Sequence, residues 1–167
     1  MSATVYELAE ETLRLARGAG LTIATVESCT GGLVAGALTE VPGSSDVVDR
    51  GFVTYSNAAK TALVGVPAEL IEAKGAVSEE VAVAMAEGAL AAAGVGLTVA
   101  ITGVAGPGGG SEDKPVGLVH FAAARLGRQT LHRERRFGDL GRAEIRRRSV
   151  IEALEMLQEA SGATGVA

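Results

Sequence analysis

Three short apolar runs, at residues 21–26, 50–55 and 97–102, constrain this chain more than any other feature of its sequence. Each has the length and composition of a strand, and each gives way within two residues to serine or glycine. Helical spacing fills the intervals. Val5, Leu8, Thr12, Leu15 and Ala16 share one stripe, so a helix is expected to about residue 17, stopped by Gly18 and Gly20. Helices are also expected over 33–41 and 57–64, with another turn starting at Pro67. Ser78, Glu79 and Glu80 form an N-terminal cap with acids in the first turn, and the alanine-rich helix behind them runs to about residue 93. Residues 103–115 read as loop, 117–125 and 130–137 as a hairpin. A last helix covers about 142–160, with Val150, Ile151, Leu154 and Leu157 facing the core, and 161–167 is a frayed tail.

Strands alternating with helices and closed by one hairpin define an α/β layered domain with a mixed, mostly parallel sheet of about five strands. The 167 residues fit a single domain, and a 47% hydrophobic content excludes disorder for most of it. One cysteine, Cys29, excludes an internal disulfide and a cysteine-rich zinc site. With only His120 and His132 besides, no metal and no cofactor are expected. A net charge of −5 and 3% aromatics argue against a nucleic-acid partner. The acidic, amphipathic start and the lack of a long apolar stretch point to a cytoplasmic protein with no membrane partner.

Open α/β sheets bind ligands beyond the carboxyl ends of their strands, so the loops after Val26, Tyr55 and Thr102 are the places to look. The first, Ser28 to Gly32, opens a helix. Ser28, Thr30 and Gly31 there either hold an anion or cap and pack the helix. Cys29 is a candidate thiol nucleophile, although a small buried cysteine is the commoner case. The loop from Gly103 to Ser111, including Gly106, offers close backbone approach to a phosphate but matches neither phosphate-loop pattern. Lys60 falls in the first turn of the helix capped by Ser56 or Asn57, where the helix dipole disfavours a cation and lowers a lysine pKa, although by spacing alone a solvated lysine on the helix surface is the commoner case. Against twelve arginines, which cannot deprotonate, the three lysines are the candidate bases. Thr102, Asp113 and Lys114 are further polar candidates. Nine of the twelve arginines lie between Arg125 and Arg148. Arg142 and Arg146 share a helical stripe and suit a phosphate, while the wider run reads equally as a solvated face or a nucleic-acid patch.

Six blocks in order carry a resemblance: ESCTGG at 27–32, PGSS at 42–45, RGFVTYSN at 50–57 with Lys60, GAVS at 75–78, TGVAGP at 102–107 and KPVG at 114–117. Together they resemble the CinA C-terminal domain family, the nicotinamide-nucleotide amidohydrolases, over about residues 5–160. The resemblance implies a three-layer α/β/α sandwich. It implies hydrolysis of the carboxamide of nicotinamide mononucleotide to nicotinate mononucleotide and ammonia, in pyridine-nucleotide salvage, by a homo-oligomer. The matching positions are Ser45 as nucleophile, Lys60 as general base and Tyr55 beside it, with Thr102 and an arginine at the start of the last helix on substrate.

Ser45 is preferred over Ser28 because a serine at a helix start has a capping task. This chain has GDLGR at 138–142 where the family usually has Gly-Asp-Arg, so placing Arg142 assumes an insertion. The family's frequent N-terminal domain is absent from this sequence, and its pyrophosphatase activity is expected to be absent too. The alternative function is a non-catalytic, nucleotide-responsive module or a partner for competence or DNA-repair proteins.

Overall fold

Side-chain alternation along the strands sorts the core into two halves. In the computed structural model, which describes residues 2–162, β3 (Leu97–Gly103) lies at the centre of a five-stranded sheet. Its Leu97, Val99 and Ile101 pack into one hydrophobic cluster, and Ala100 between them packs into the other. The first cluster lies under α1 (Val5–Gly18), α2 (Leu33–Thr39) and α6 (Arg142–Ala160). The second lies under α3 (Asn57–Val64), α4 (Ala68–Lys74) and α5 (Glu79–Ala93). Helices on both faces of the sheet give the three-layer α/β/α sandwich.

The remaining strands are β1 (Ile23–Glu27), β2 (Val48–Val53), β4 (Leu118–Arg125) and β5 (Leu131–Arg136), in the order β2-β1-β3-β4-β5. β1 pairs parallel with β2 and β3, whereas β4 runs antiparallel to both its neighbours. Four strands therefore point one way, and β1, β2 and β3 end on the same edge. β2 starts two residues before the expected run and ends at Val53; the Thr54 N–H still bonds the Glu27 carbonyl of β1 at 2.8 Å, and the chain leaves the sheet at Tyr55. Pro67 caps α4 rather than starting it. Ser78 caps α5 by accepting the Val81 N–H. Ile151 is only half-buried, while Val150, Leu154 and Leu157 are buried. Most of the expected frayed tail, from residue 163, lies outside the described residues. Among the described residues no helix is long and apolar enough to cross a membrane.

Candidate active site

Alternation at the end of β1 sends two neighbouring polar residues in opposite directions. Val26 packs on the α3–α5 side, so Glu27 turns to the other face. Glu27 is fully buried, and its carboxylate accepts the N–H groups of Val34 (2.9 Å) and Ala35 (3.0 Å) and the Thr25 hydroxyl (3.2 Å). The start of α2 is thus capped by a carboxylate from the preceding strand, and Gly32 at the cap position supplies no side chain. This leaves the Ser28 hydroxyl free of capping. It accepts instead a hydrogen bond from Lys60 Nζ at 3.1 Å.

Lys60 reaches Ser28 from α3. Its N-terminal turn is fixed by Ser56, whose hydroxyl accepts the Ala59 N–H. The lysine is 1% exposed and also donates to the Thr54 carbonyl at 2.9 Å. Among the described residues no carboxylate pairs with it. Burial lowers its pKa from the ordinary lysine value, because the low-dielectric surroundings disfavour the charged form. The position at a helix start predicts the same direction from the helix dipole; the lowering cause here is desolvation. Two buried hydroxyls without a protein partner, Thr30 and Thr54, belong to the same two loops.

Two arginines one helical turn apart on α6 tie these loops together. Arg146 donates to the carbonyls of Cys29 (3.1 Å) and Thr30 (3.4 Å). Gly31 has φ +57°, and a Cβ there would come within 3.3 Å of the Arg146 guanidinium, so glycine serves both the turn and the arginine's approach. Arg142 donates to the Gly106 carbonyl and to the Tyr55 hydroxyl, each at 2.9 Å. Tyr55 is 60% exposed and stands at the rim. Thr102 is buried at the end of β3 and donates to the Ala76 carbonyl at 2.8 Å. Ser28, Thr30, Gly31, Tyr55, Lys60, Thr102, Gly106, Arg142 and Arg146 therefore gather at one edge of the sheet.

Ser45 does not join them, and its expected pairing with Lys60 is corrected here. It lies in the 3-10 turn Ser44–Asp46 before β2, at the strand's opposite end from Thr54 and Lys60. Six residues of extended strand separate the two ends by roughly 17 Å. That turn is clamped by Arg17, which donates to Asp46 and the Gly43 carbonyl. Cys29 is buried in the core, and burial pushes its thiol up to about 12, which makes it inert. Lys114 braces the loop before α5 by donating to the Lys74 carbonyl. His120 and His132 bond to each other at 2.9 Å on β4 and β5. Clefts of about 860 and 440 Å³ flank that hairpin rather than Ser28, and among their lining charges Glu79 pairs with His132 and Lys74 with Glu80. The buried lysine beside a serine hydroxyl points instead to the Ser28–Lys60 edge. Among the described residues no group of three or more His, Cys, Asp or Glu stands close enough to hold a metal ion.

The two residues that sequence reasoning missed are Glu27 and Thr54. Both sit inside the quoted blocks, and strand alternation after Val26 was the available signal for Glu27.

Comparison with known proteins agrees with this architecture. Residues 5–161 match the model of the CinA C-terminal domain, and the chain belongs to that family. It is 54% identical over 140 residues to a CinA-like protein of Anaeromyxobacter dehalogenans, covering 83% of this chain and 34% of the relative. A CinA-like protein of Synechococcus sp. is 53% identical over 152 residues, covering 90% and 36%. The chain thus spans about a third of the length of these curated relatives. Among solved structures, the competence/damage inducible protein CihA from Agrobacterium tumefaciens is 52% identical with a TM-score of 0.93, covering 97% of this chain and 100% of that one. The competence damage-inducible protein A from Klebsiella pneumoniae is 36% identical with a TM-score of 0.89, covering 94% and 96%.

Proposed function

We propose that this domain is an amidohydrolase that acts on nicotinamide mononucleotide, with Ser28 as nucleophile and Lys60 as its base. The observation that carries the reading is the 3.1 Å bond between Ser28 Oγ and a buried lysine with no acidic partner. The neutral amine removes the serine proton as Oγ attacks the carboxamide carbon. The C–N bond then breaks, and Lys60 returns the proton to the departing nitrogen, giving ammonia and an acyl-serine. Water, activated by the same amine, hydrolyses the ester and releases the carboxylate. Along the loop, the Gly31 and Leu33 N–H groups bond within it and those of Val34 and Ala35 bond Glu27. This leaves the N–H groups of Cys29, Thr30 and Gly32, in the loop after the nucleophile, for the developing oxyanion.

Arg142 and Arg146 suit the substrate phosphate. A guanidinium carries five N–H donors, and each of these uses two on the protein. Tyr55 then orients Arg142 rather than Lys60. The competing reading, a module for nucleic acid or repair partners, rested on the arginine run. Arg133, Arg135, Arg136, Arg147 and Arg148 are engaged with Glu134, Glu144, Glu152 and Glu159, and Arg125 bonds backbone carbonyls at the end of α6. That engagement favours a scaffold role for the run. Homo-oligomerisation remains part of the proposal and is read by light scattering. The deciding experiment is ammonia release from nicotinamide mononucleotide by the wild type and by Ser28→Ala. Release by the wild type alone supports the reading, and release by neither protein or by both sinks it.

A further inference from the structure

The hydrogen-bond count at Lys60 does not close, and the shortfall has a neighbour. An ammonium has three N–H donors. Lys60 Nζ has two acceptors, Ser28 Oγ and the Thr54 carbonyl. Among the described residues, only Thr30 and Thr54 have buried side-chain hydroxyls without a partner. Thr54 is the residue whose carbonyl already holds the lysine. Its side chain also lies on the correct face. Phe52 packs with the α3–α5 cluster, and Val53 turns to the other side, where it lies 3.5 Å from the Cβ position of Gly32. The alternation returns Thr54 to the layer from which Lys60 descends.

We infer that Thr54 is a positioning residue for the proposed base: its hydroxyl is the third acceptor of the Lys60 ammonium, engaged when the lysine takes the serine proton. With the amine neutral, one lone pair accepts the Ser28 O–H and the Thr54 carbonyl takes an N–H. Proton transfer breaks the Ser28 O–H bond and forms an N–H along the same hydrogen bond, so one N–H of Nζ is left over in either state; the positive charge that then appears on Nζ calls for a third acceptor, which a rotation of the Thr54 side chain supplies. No other charge on the neighbouring elements supplies it. Glu27 is committed to α2, Glu79 to His132, Glu80 to Lys74 and Glu87 to Thr130, Glu69 and Glu72 of α4 are exposed to solvent, and Cys29 is held as a thiol. The inference rests on Lys60 being the base of the proposed reaction.

The chain's three lysines, Lys60, Lys74 and Lys114, allow the ammonium to be watched directly. Lysine labelled with carbon-13 at Cε is titrated by NMR in wild type, Thr54→Val and Thr54→Ser, with Lys60→Met identifying the resonance. Thr54→Val should lower the Lys60 titration by about one pH unit, since a hydrogen bond to a charged group is worth roughly that. Thr54→Ser should restore it. The acid limb of kcat/KM should move with the titration, to lower pH in Thr54→Val. A Lys60 titration that stays put in Thr54→Val, or one that Thr54→Ser fails to restore, overturns the inference. Full activity of Lys60→Met would instead remove the proposed mechanism while leaving the titration result standing, so the two failures are distinguishable.

Discussion

Two serine-bearing turns flank the β1–β2 pair at its opposite ends, and they differ in how completely their polar groups are satisfied. The Ser45 turn is closed. The Ser44 N–H bonds the Val41 carbonyl, the Val47 N–H bonds the Ser44 carbonyl, and Arg17 holds Asp46 and Gly43 from α1. The Ser28 turn is open. It faces a buried lysine without a counter-ion and keeps the hydroxyls of Thr30 and Thr54 unpartnered. A scaffold turn satisfies its own groups; a reactive one leaves them for something else. Buried polar groups are otherwise almost always paired, so the open turn is where function is to be sought.

The largest effect that would break this comparison lies in the Ser28–Lys60 pair. Ser28→Ala and Lys60→Met should each cut kcat by about 10³-fold or more, the scale of a lost nucleophile or base. Lys60→Met should at the same time leave the thermal midpoint unchanged or raise it, because an apolar side chain replaces a buried amine with no acid partner. Activity lost together with the fold would mean that the lysine is structural. For the wild type, kcat/KM should fall as pH drops through the Lys60 pKa, since the protonated amine cannot accept the serine proton. Because burial lowers that pKa, activity should persist to lower pH than an ordinary lysine would allow. A pH profile that rises only in the range of free lysine would contradict the burial argument.

A smaller effect is expected at Glu27. Glu27→Ala leaves two helix N–H groups and the Thr25 hydroxyl without their acceptor, which should cost about 2–4 kcal/mol in stability. Chemical denaturation measures it directly. Turnover should fall as well, because the released loop no longer fixes Ser28. A neutral result would mean that the loop is held by Arg146 alone.

Glu27 also explains what the sequence made legible and what it hid. Strand, helix and loop order follow from apolar periodicity, glycine and caps, so the layering and the edge carrying the site could be read in advance. Lys60 stood out because a cation at a helix start needs a reason, but spacing alone favoured a solvated lysine, and its burial comes only with the packed fold. The proximity of Ser28 rather than Ser45 to Lys60 was not legible. The cap rule assigns Ser28 to the helix it precedes, but that helix is capped by a carboxylate from the strand before it, a contact that only the packed β1–α2 unit makes. Ser45 looked free in a Pro-Gly turn, and only the register of β2 on β1, with Val48 beside Ile23, puts it at the far end of the sheet. Arg142 was correctly placed at a helix start, but its bond to the Tyr55 hydroxyl joins residues 87 apart in the chain.

That bond sets the next effect in size. Arg142→Ala releases both the Gly106 loop and Tyr55, and it should raise KM for the mononucleotide about tenfold, with a smaller effect on a substrate lacking the phosphate. Steady-state kinetics on nicotinamide mononucleotide and on the corresponding nucleoside would separate the two. Equal changes on both substrates would show that Arg142 shapes the loops without reading the phosphate.

The smallest effect is the one that tests the comparison from its other side. Ser45 is exposed, and the hydrogen bonds that close its turn come from the backbone, Arg17 and Asp46 rather than from its hydroxyl. Ser45→Ala should therefore change stability by no more than about 0.5 kcal/mol, as for surface positions without a special contact. It should leave kcat within about twofold of wild type, because no base stands within reach of that hydroxyl. Single-turnover kinetics on Ser45→Ala and Ser28→Ala, run side by side with thermal melts, provide the check. A folded Ser45→Ala protein that binds substrate but forms no product would transfer the chemistry to the far end of β2. It would also require a base there that the Arg17–Asp46 clamp does not provide, so the Ser28–Lys60 assignment and the argument from unsatisfied groups would fall together.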